Sequence, residues 1–395
     1  MGAERFLADR LKHHGATDDR RKMLALAAAM DDVINLGRGD PDLETPQYIM
    51  DAAKEGLDKH MTHYTAWAGL PELRRAVAKK FQRDGIDCDP NTDILITVGA
   101  QEAIFLTMQS ILNPGDEVIV PEPRYTPYDT CITLAGGKMV SCPTYAEDGF
   151  QVRAESIERA ITGRTKAVLL VSPNNPTGAV VDRAAMEAVA ELAKKHDLMV
   201  ISDELYGSLL FDGTVRTSMA SLPGMKERTI TVSGVSKTYS MTGWRIGFLC
   251  APKEIVDPML SIKYAVTICA TAIAQYAALA ALEDPRSVPA VEEIVRTYDE
   301  RRRAAMRRLD RAGIEYTVPK GSFYVFCSVK KYGMSSFEFA SSLLKETGVF
   351  TFPGTCFGDL GEGFIRLSLL VPTEKIEEAF DRIERYLEAH GLKGR

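Results

Sequence analysis

Seven short apolar runs punctuate the middle of the chain, at residues 94–98, 117–120, 138–141, 167–172, 199–202, 229–233 and 246–250. Some show no alternation with polar positions; residues 167–171 read AVLLV. Such strands are buried on both faces, as in a mostly parallel sheet between helices. Helical periodicity occupies several of the gaps, at 101–112, 183–196 and 255–264. The pattern therefore predicts crossover units and an α/β architecture around a mostly parallel seven-stranded sheet. The last third reads differently. A long charged helix around 289–312 precedes strands near 323–327 and 364–368, with helices at 336–347 and 372–390, an α+β pattern. This predicts a large domain over 46–284 and a smaller one combining 1–45 with 285–395.

In open α/β sheets ligands gather at the carboxyl ends of the strands. Polar clusters follow four of the runs: Gly99-Ala100-Gln101, then Ser172-Pro173-Asn174-Asn175-Pro176-Thr177-Gly178, then Asp203-Glu204-Leu205-Tyr206, and Ser233-Gly234-Val235-Ser236-Lys237. Four clusters at equivalent strand ends predict one shared site.

Composition narrows the classes without naming a chemistry. The 395 residues carry 48 Lys+Arg against 54 Asp+Glu, a net charge of -6, which lacks the basic footprint of a general nucleic-acid binder. The seven cysteines are scattered with no Cys-x-x-Cys pair, so reduced thiols in a cytoplasmic protein are expected rather than disulfides or a thiolate metal site. The six histidines form no ligand pattern and read as mostly solvated, including His13-His14, so no metal is expected. The charged N-terminal segment lacks the apolar core of a signal peptide. The Ala-rich stretch 264–282 reads as a buried helix rather than a membrane span. Arg301-Arg302-Arg303 with Arg307 and Arg308 read as a solvated helix face. No G-x-G-x-x-G follows a strand, which disfavours a nicotinamide oxidoreductase.

Three segments in this order, SPNNPTG, SDELY and SGVSKTYSMTGWRIG, resemble the class I/II aminotransferases among the fold type I pyridoxal-phosphate enzymes. The resemblance runs from LGRGDPD at 36–42 to FIRLSLL at 364–370. It implies pyridoxal 5'-phosphate as cofactor and Lys237 as the amine that forms a Schiff base with it and moves the substrate proton. Asp203 matches the carboxylate that keeps the pyridine nitrogen protonated. Asn175 and Tyr206 match donors to the ring phenolate, and Tyr125 matches the aromatic that stacks on the ring. For Tyr125 and Asn175 a packing or turn role is the plain alternative, and Tyr128 reads as packing. Ala100 and Gln101 at a helix start, with Arg245, Ser233 and Ser236, would form the phosphate pocket; for Ser233 a simple strand-end hydroxyl is the alternative. Arg366 matches the arginine that holds the substrate carboxylate, with Gly39 letting backbone approach it.

The same resemblance implies a homodimer in which Tyr64 reaches the partner's phosphate, with amino acids and 2-oxo acids as substrates and no membrane or nucleic-acid partner. Gln101-Glu102 stands where some aspartate-specific relatives carry a lysine, and the pattern is most similar to aromatic-amino-acid aminotransferases. An aromatic donor is therefore expected. A C–S β-lyase, or an aspartate or alanine aminotransferase of the same fold, are the alternatives, while a cofactor-sensing transcriptional regulator would need an added DNA-binding domain. Arg38, beside Gly39, departs from the pattern and could meet an acidic substrate tail or face water.

Overall fold

The computed structural model describes residues 6–11 and 18–393, so His13 and His14 lie outside the described residues. All seven apolar runs form strands of one sheet. Its order is Ile94–Val98, Ile246–Cys250, Thr229–Gly234, Met199–Asp203, Thr165–Val171, Glu117–Glu122 and Lys138–Pro143. Every pair is parallel except those made by Ile246–Cys250, which runs against both of its neighbours. Helices Gly99–Ile111 and Lys253–Val266 cover one face, where Ala103, Ile104 and Met259 pack on Leu95, Leu249 and Val232. Helices Ala154–Ala160 and Arg183–Lys195 cover the other through Ile157, Met186 and Val189. Strands sandwiched this way have no polar face to show, which is why the runs do not alternate.

A second sheet places Phe364–Ser368 between Phe352–Pro353 and Tyr324–Ser328, all antiparallel. Beside it Ile34–Asn35 pairs in parallel with Val349–Phe350. Met23, Ile34 and Leu36 share one apolar core with Phe326, Phe339, Leu344, Phe364 and Phe380. The two ends of the described chain thus pack together.

Two local expectations change. The 264–282 stretch is not one helix: Lys253–Val266 ends there, Ile268 takes φ +63°, and Ala272–Glu283 begins afresh. The second helix is buried through Ala274, Ala277, Ala278 and Ala281, small residues that admit close neighbours, whereas Tyr264 is half exposed. Among the described residues no helix is long and apolar enough to cross a membrane. The arginine run is also not a solvated face. Within helix Ser287–Ala312, Arg301, Arg302 and Arg308 are buried, while Arg303 and Arg307 are exposed. Arg301 makes a two-pronged pair with Asp42 at 2.7 and 2.8 Å, and Arg302 does the same with Asp212 at 2.9 and 2.7 Å. Arg308 donates to Glu377, Asp381 and Glu384. Helical spacing puts 301, 305 and 308 on the inward face, and each buried guanidinium is tolerated because a carboxylate meets it.

Candidate active site

One cavity of about 450 Å³ opens where the carboxyl ends of the large sheet face the small sheet. Its walls include Gly39, Ala100, Gln101, Tyr125, Asn175, Asp203, Tyr206, Ser236, Lys237, Arg245 and Arg366. These come from distant parts of the sequence and are brought together because most follow or end a strand, while Arg245 directly precedes one and Arg366 lies within one.

Lys237 lies three residues beyond strand Thr229–Gly234, and its Nζ donates to the Gly39 carbonyl at 2.5 Å. Burial disfavours its charged form and lowers its pKa to about 8, with Arg366 and Arg245 pushing the same way and Asp40 opposing. Asp203 ends strand Met199–Asp203 and is buried. Tyr128 Oη donates to its Oδ2 at 2.6 Å and the Leu205 N–H to its Oδ1 at 3.1 Å. Burial raises its pKa, and these two donors hold it back. The adjacent Glu204 bonds instead to Ser202 at 2.9 Å, Ser218 at 2.6 Å and Arg216 at 2.5 Å. The strand ends by sending one carboxylate into the cavity and the next away from it.

Arg366 projects from the middle strand of the small sheet and is buried. Its Nη1 donates to Asn175 Oδ1 at 2.8 Å and its Nη2 to the Gly37 carbonyl. The guanidinium carbon sits 4.2 Å from the Tyr324 ring centre and 4.6 Å from that of Phe357. Its Nε is buried without a hydrogen-bond partner among the described residues. A buried guanidinium that lines a cavity and meets no carboxylate is suited to receive an anion.

A second anion cradle stands across the cavity. Helix Gly99–Ile111 starts directly from strand Ile94–Val98, so its first N–H groups are not used by the helix. The turn is pressed close: a Cβ on Gly99, at φ +72°, would stand 2.5 Å from Arg245 Nη2, and one on Gly247 would stand 2.3 Å from the Ala100 nitrogen. Only glycine fits both places. Five cations (Arg20, Arg38, Lys237, Arg245 and Arg366) against two acids (Asp40 and Asp203) line the cavity, so its ligands carry negative charge.

Tyr125 lies edge-on to Tyr128, with ring centres 5.3 Å apart, and its hydroxyl reaches Gln101 Oε1 at 3.4 Å. Tyr206 meets Tyr324, hydroxyl to hydroxyl, at 3.3 Å. Gly39 is needed because a Cβ there would stand 2.3 Å from the Tyr324 hydroxyl. Ser233 is placed elsewhere: its Oγ points 3.4 Å from the Glu204 carbonyl, away from the cavity walls. Tyr64 also lies off the walls and is 79% exposed. Arg38 faces both alternatives at once, lining the mouth while remaining exposed.

Three residues at the site were not anticipated in these roles. Tyr128, read as packing, is the donor to Asp203; its spacing three residues after Tyr125 on a helix start was the available signal. Tyr324 rises from the small sheet to meet Tyr206. Arg20, from helix Asp18–Ala28, lies over the Phe352 and Phe357 rings at 5.1 and 5.6 Å and donates to the Cys356 carbonyl at 3.3 Å. No local pattern marks Arg20, because its neighbours are some 330 residues away.

Comparison with known proteins agrees with this geometry. The family model for aminotransferase class I and II matches residues 31–383. The aromatic-amino-acid aminotransferase 2 of Thermococcus litoralis is 44% identical over 98% of this chain and 99% of its own. The aspartate aminotransferase of Pyrococcus abyssi is 45% identical over 93% of this chain and 95% of its own. Among solved structures, an aromatic aminotransferase from Pyrococcus horikoshii superposes with a TM-score of 0.90 at 43% identity, covering 94% of this chain and all of that one. The Thermus thermophilus aspartate aminotransferase with maleate gives 0.90 at 38% identity, covering 96% and 99%. The chain is an aminotransferase, a member of the class I and II family.

Proposed function

We propose that the cavity binds pyridoxal 5'-phosphate and that the protein transfers the amino group of an L-amino acid, preferentially an aromatic one, to a 2-oxo acid. The observation that carries the reading is the cavity's arrangement: a half-buried amine and a buried carboxylate lie between two separate anion cradles. The residues fit the cofactor. The glycine turn and Arg245, with Ser236, Ala100 and Gln101 on the same wall, suit a phosphate, Asp203 suits a protonated ring nitrogen, and Asn175, Tyr206 and Tyr125 border the remaining ring. When bound, the cofactor supplies an aldehyde that condenses with amines and a ring that draws electrons from the substrate Cα.

The chain's residues divide the remaining work. Arg366 takes the substrate carboxylate with its guanidinium, and Gly39 leaves room for backbone beside it. Neutral Lys237 Nζ, released from the Gly39 carbonyl, would accept the Cα proton and pass it to the carbon that carried the cofactor's aldehyde. Tyr125, Tyr324 and Phe352 wall the chamber against water. Leu24, Ile104, Tyr125 and Phe352 give it the apolar surface an aromatic side chain needs, which with the likeness to aromatic aminotransferases supports that donor class. Comparing kcat/KM for Phe, Asp, Ala and Lys with 2-oxoglutarate and pyruvate tests this. Phe is expected to lead, and a clear Asp preference would refute the aromatic assignment.

The lowered lysine pKa makes a separate prediction. In the cofactor-free protein, acylation of Lys237 by an amine reagent, followed by peptide mass spectrometry, should be half-maximal near pH 8 rather than near 10.5. The sign for stability follows. Between about 8 and 10.5 the unfolded chain binds the proton and the folded one does not, so this group's contribution to stability rises with pH across that window. A labelling midpoint near 10 would contradict the burial of the amine.

The proposal extends to a homodimer with two domains in each chain, 46–284 and the combined ends. Trp67 and Tyr264, ring centres 4.5 Å apart, form an exposed aromatic pair of the kind that a partner covers, and Tyr64 is exposed as well. Tyr64 would reach the partner's phosphate from there. All seven cysteines are free thiols, in keeping with a cytoplasmic, reducing setting.

A further inference from the structure

Behind the glycine turn lies a charge pair that the transfer chemistry does not use. Glu102 sits in the first turn of helix Gly99–Ile111 and is buried. Its Oε2 accepts from the Val98 N–H at 2.5 Å and its Oε1 from Thr267 Oγ1 at 2.5 Å. Lys263, wholly buried on the packed helix Lys253–Val266, donates to Glu102 Oε2 at 3.0 Å and to Thr267 Oγ1 at 3.1 Å. From the other side Thr97 Oγ1 donates to the Gly99 carbonyl at 2.9 Å.

The carboxylate has an evident local use. By taking the Val98 N–H it fixes the strand-to-helix turn and leaves the next N–H groups to a ligand. It also has an evident drawback. A full negative charge in the first turn of an anion-binding helix opposes any phosphate placed there, and low-dielectric surroundings strengthen that opposition. Thr267 cannot cancel the charge; Lys263 can.

We infer that Lys263 is a positioning residue of the cofactor site, neutralising Glu102 so that the carboxylate shapes the phosphate turn without repelling the phosphate. The inference rests on the reading that pyridoxal 5'-phosphate occupies the cavity. It differs from a merely structural ion pair in one respect: it makes the effect depend on net charge and on the ligand's phosphate. A structural pair would impair every ligand and would suffer whenever either member was lost.

Equilibrium dialysis with pyridoxal 5'-phosphate and with pyridoxal, which lacks the phosphate, separates the two. Lys263→Gln keeps a donor near Glu102 but not the charge, and Lys263→Met removes both. Each is expected to weaken pyridoxal 5'-phosphate binding about tenfold while changing pyridoxal binding by less than about twofold. The double variant E102Q/K263Q, neutral like the native pair, is expected to return the phosphate form to within about twofold of the native protein. Equal losses for both ligands, or a double variant as weak as the single ones, would overturn the role of Lys263. Failure of the native protein to bind pyridoxal 5'-phosphate would instead overturn the functional reading beneath it.

Discussion

A Lys237→Ala variant is expected to lose transamination by at least about 10⁴-fold, because it removes both the amine that holds the cofactor and the base for the Cα proton. The size follows from position. Among the described residues Lys237 is the one lysine on the cavity wall, and burial at this spot gives it a neutral fraction at working pH that an exposed lysine lacks. Neither neighbouring cation can replace it, because Arg245 and Arg366 carry guanidiniums rather than amines. A second readout makes the loss specific. Borohydride reduction of the native protein should fix the cofactor to the peptide containing Lys237, while the variant should bind it only reversibly through the phosphate cradle. Retained transamination in the variant, or reduction onto another peptide, would remove Lys237 from its assigned role.

Asp203→Asn should cost about 10³-fold in kcat while leaving cofactor affinity within about tenfold of native, since it withdraws a preorganised charge without changing volume. Tyr128 and the Leu205 N–H hold separate oxygens of this carboxylate at 2.6 and 3.1 Å, so the amide fits by accepting from Leu205 through its oxygen and donating its NH2 to a rotated Tyr128 hydroxyl. What disappears is the charge that keeps a ring nitrogen protonated and hence the ring's pull on Cα. Tyr128→Phe offers a graded comparison. It leaves the carboxylate but removes one donor, and burial, already raising the Asp203 pKa, then acts with less opposition. Its kcat should fall by about tenfold, with the acid limb of the kcat–pH profile moved upward. An Asp203→Asn enzyme within tenfold of native kcat would show that the carboxylate does not serve the ring.

The large sheet could be read from sequence because burial on both faces leaves a strong local mark. Runs 94–98 and 246–250 are the strands, and the other runs differ only by a residue or two at their ends. Strand direction left no such mark. Ile246–Cys250 is as apolar as the parallel strands of the sheet, and only the short connection through 235–245 distinguishes it. The cavity's charged residues were equally visible where they closed a strand, as with Asp203 and Lys237. Sequence could not show what a side chain meets across the fold. Arg301, Arg302 and Arg308 look like any solvated run until Asp42, Asp212 and Glu384 arrive from elsewhere. Arg20, Tyr128 and Tyr324 belong to the same class: their roles are relations between distant segments, and periodicity records only neighbours.

The joining of the two chain ends has a consequence for biosynthesis. Arg366 reaches Gly37 across 329 positions, and Arg382 reaches Asp32 across 350. On the ribosome the large sheet has all its strands once residue 250 has emerged, and Lys237, which reaches Gly39, is already made, yet Gly37 must wait for more than a hundred further residues before its partner Arg366 exists. Until then Leu36 and Met23 lack most of the core they end in, which lies chiefly in the last third of the chain. The catalytic chamber is therefore among the last parts of the molecule to close, and a nascent chain released early would hold a nearly complete sheet and no binding place for a substrate carboxylate.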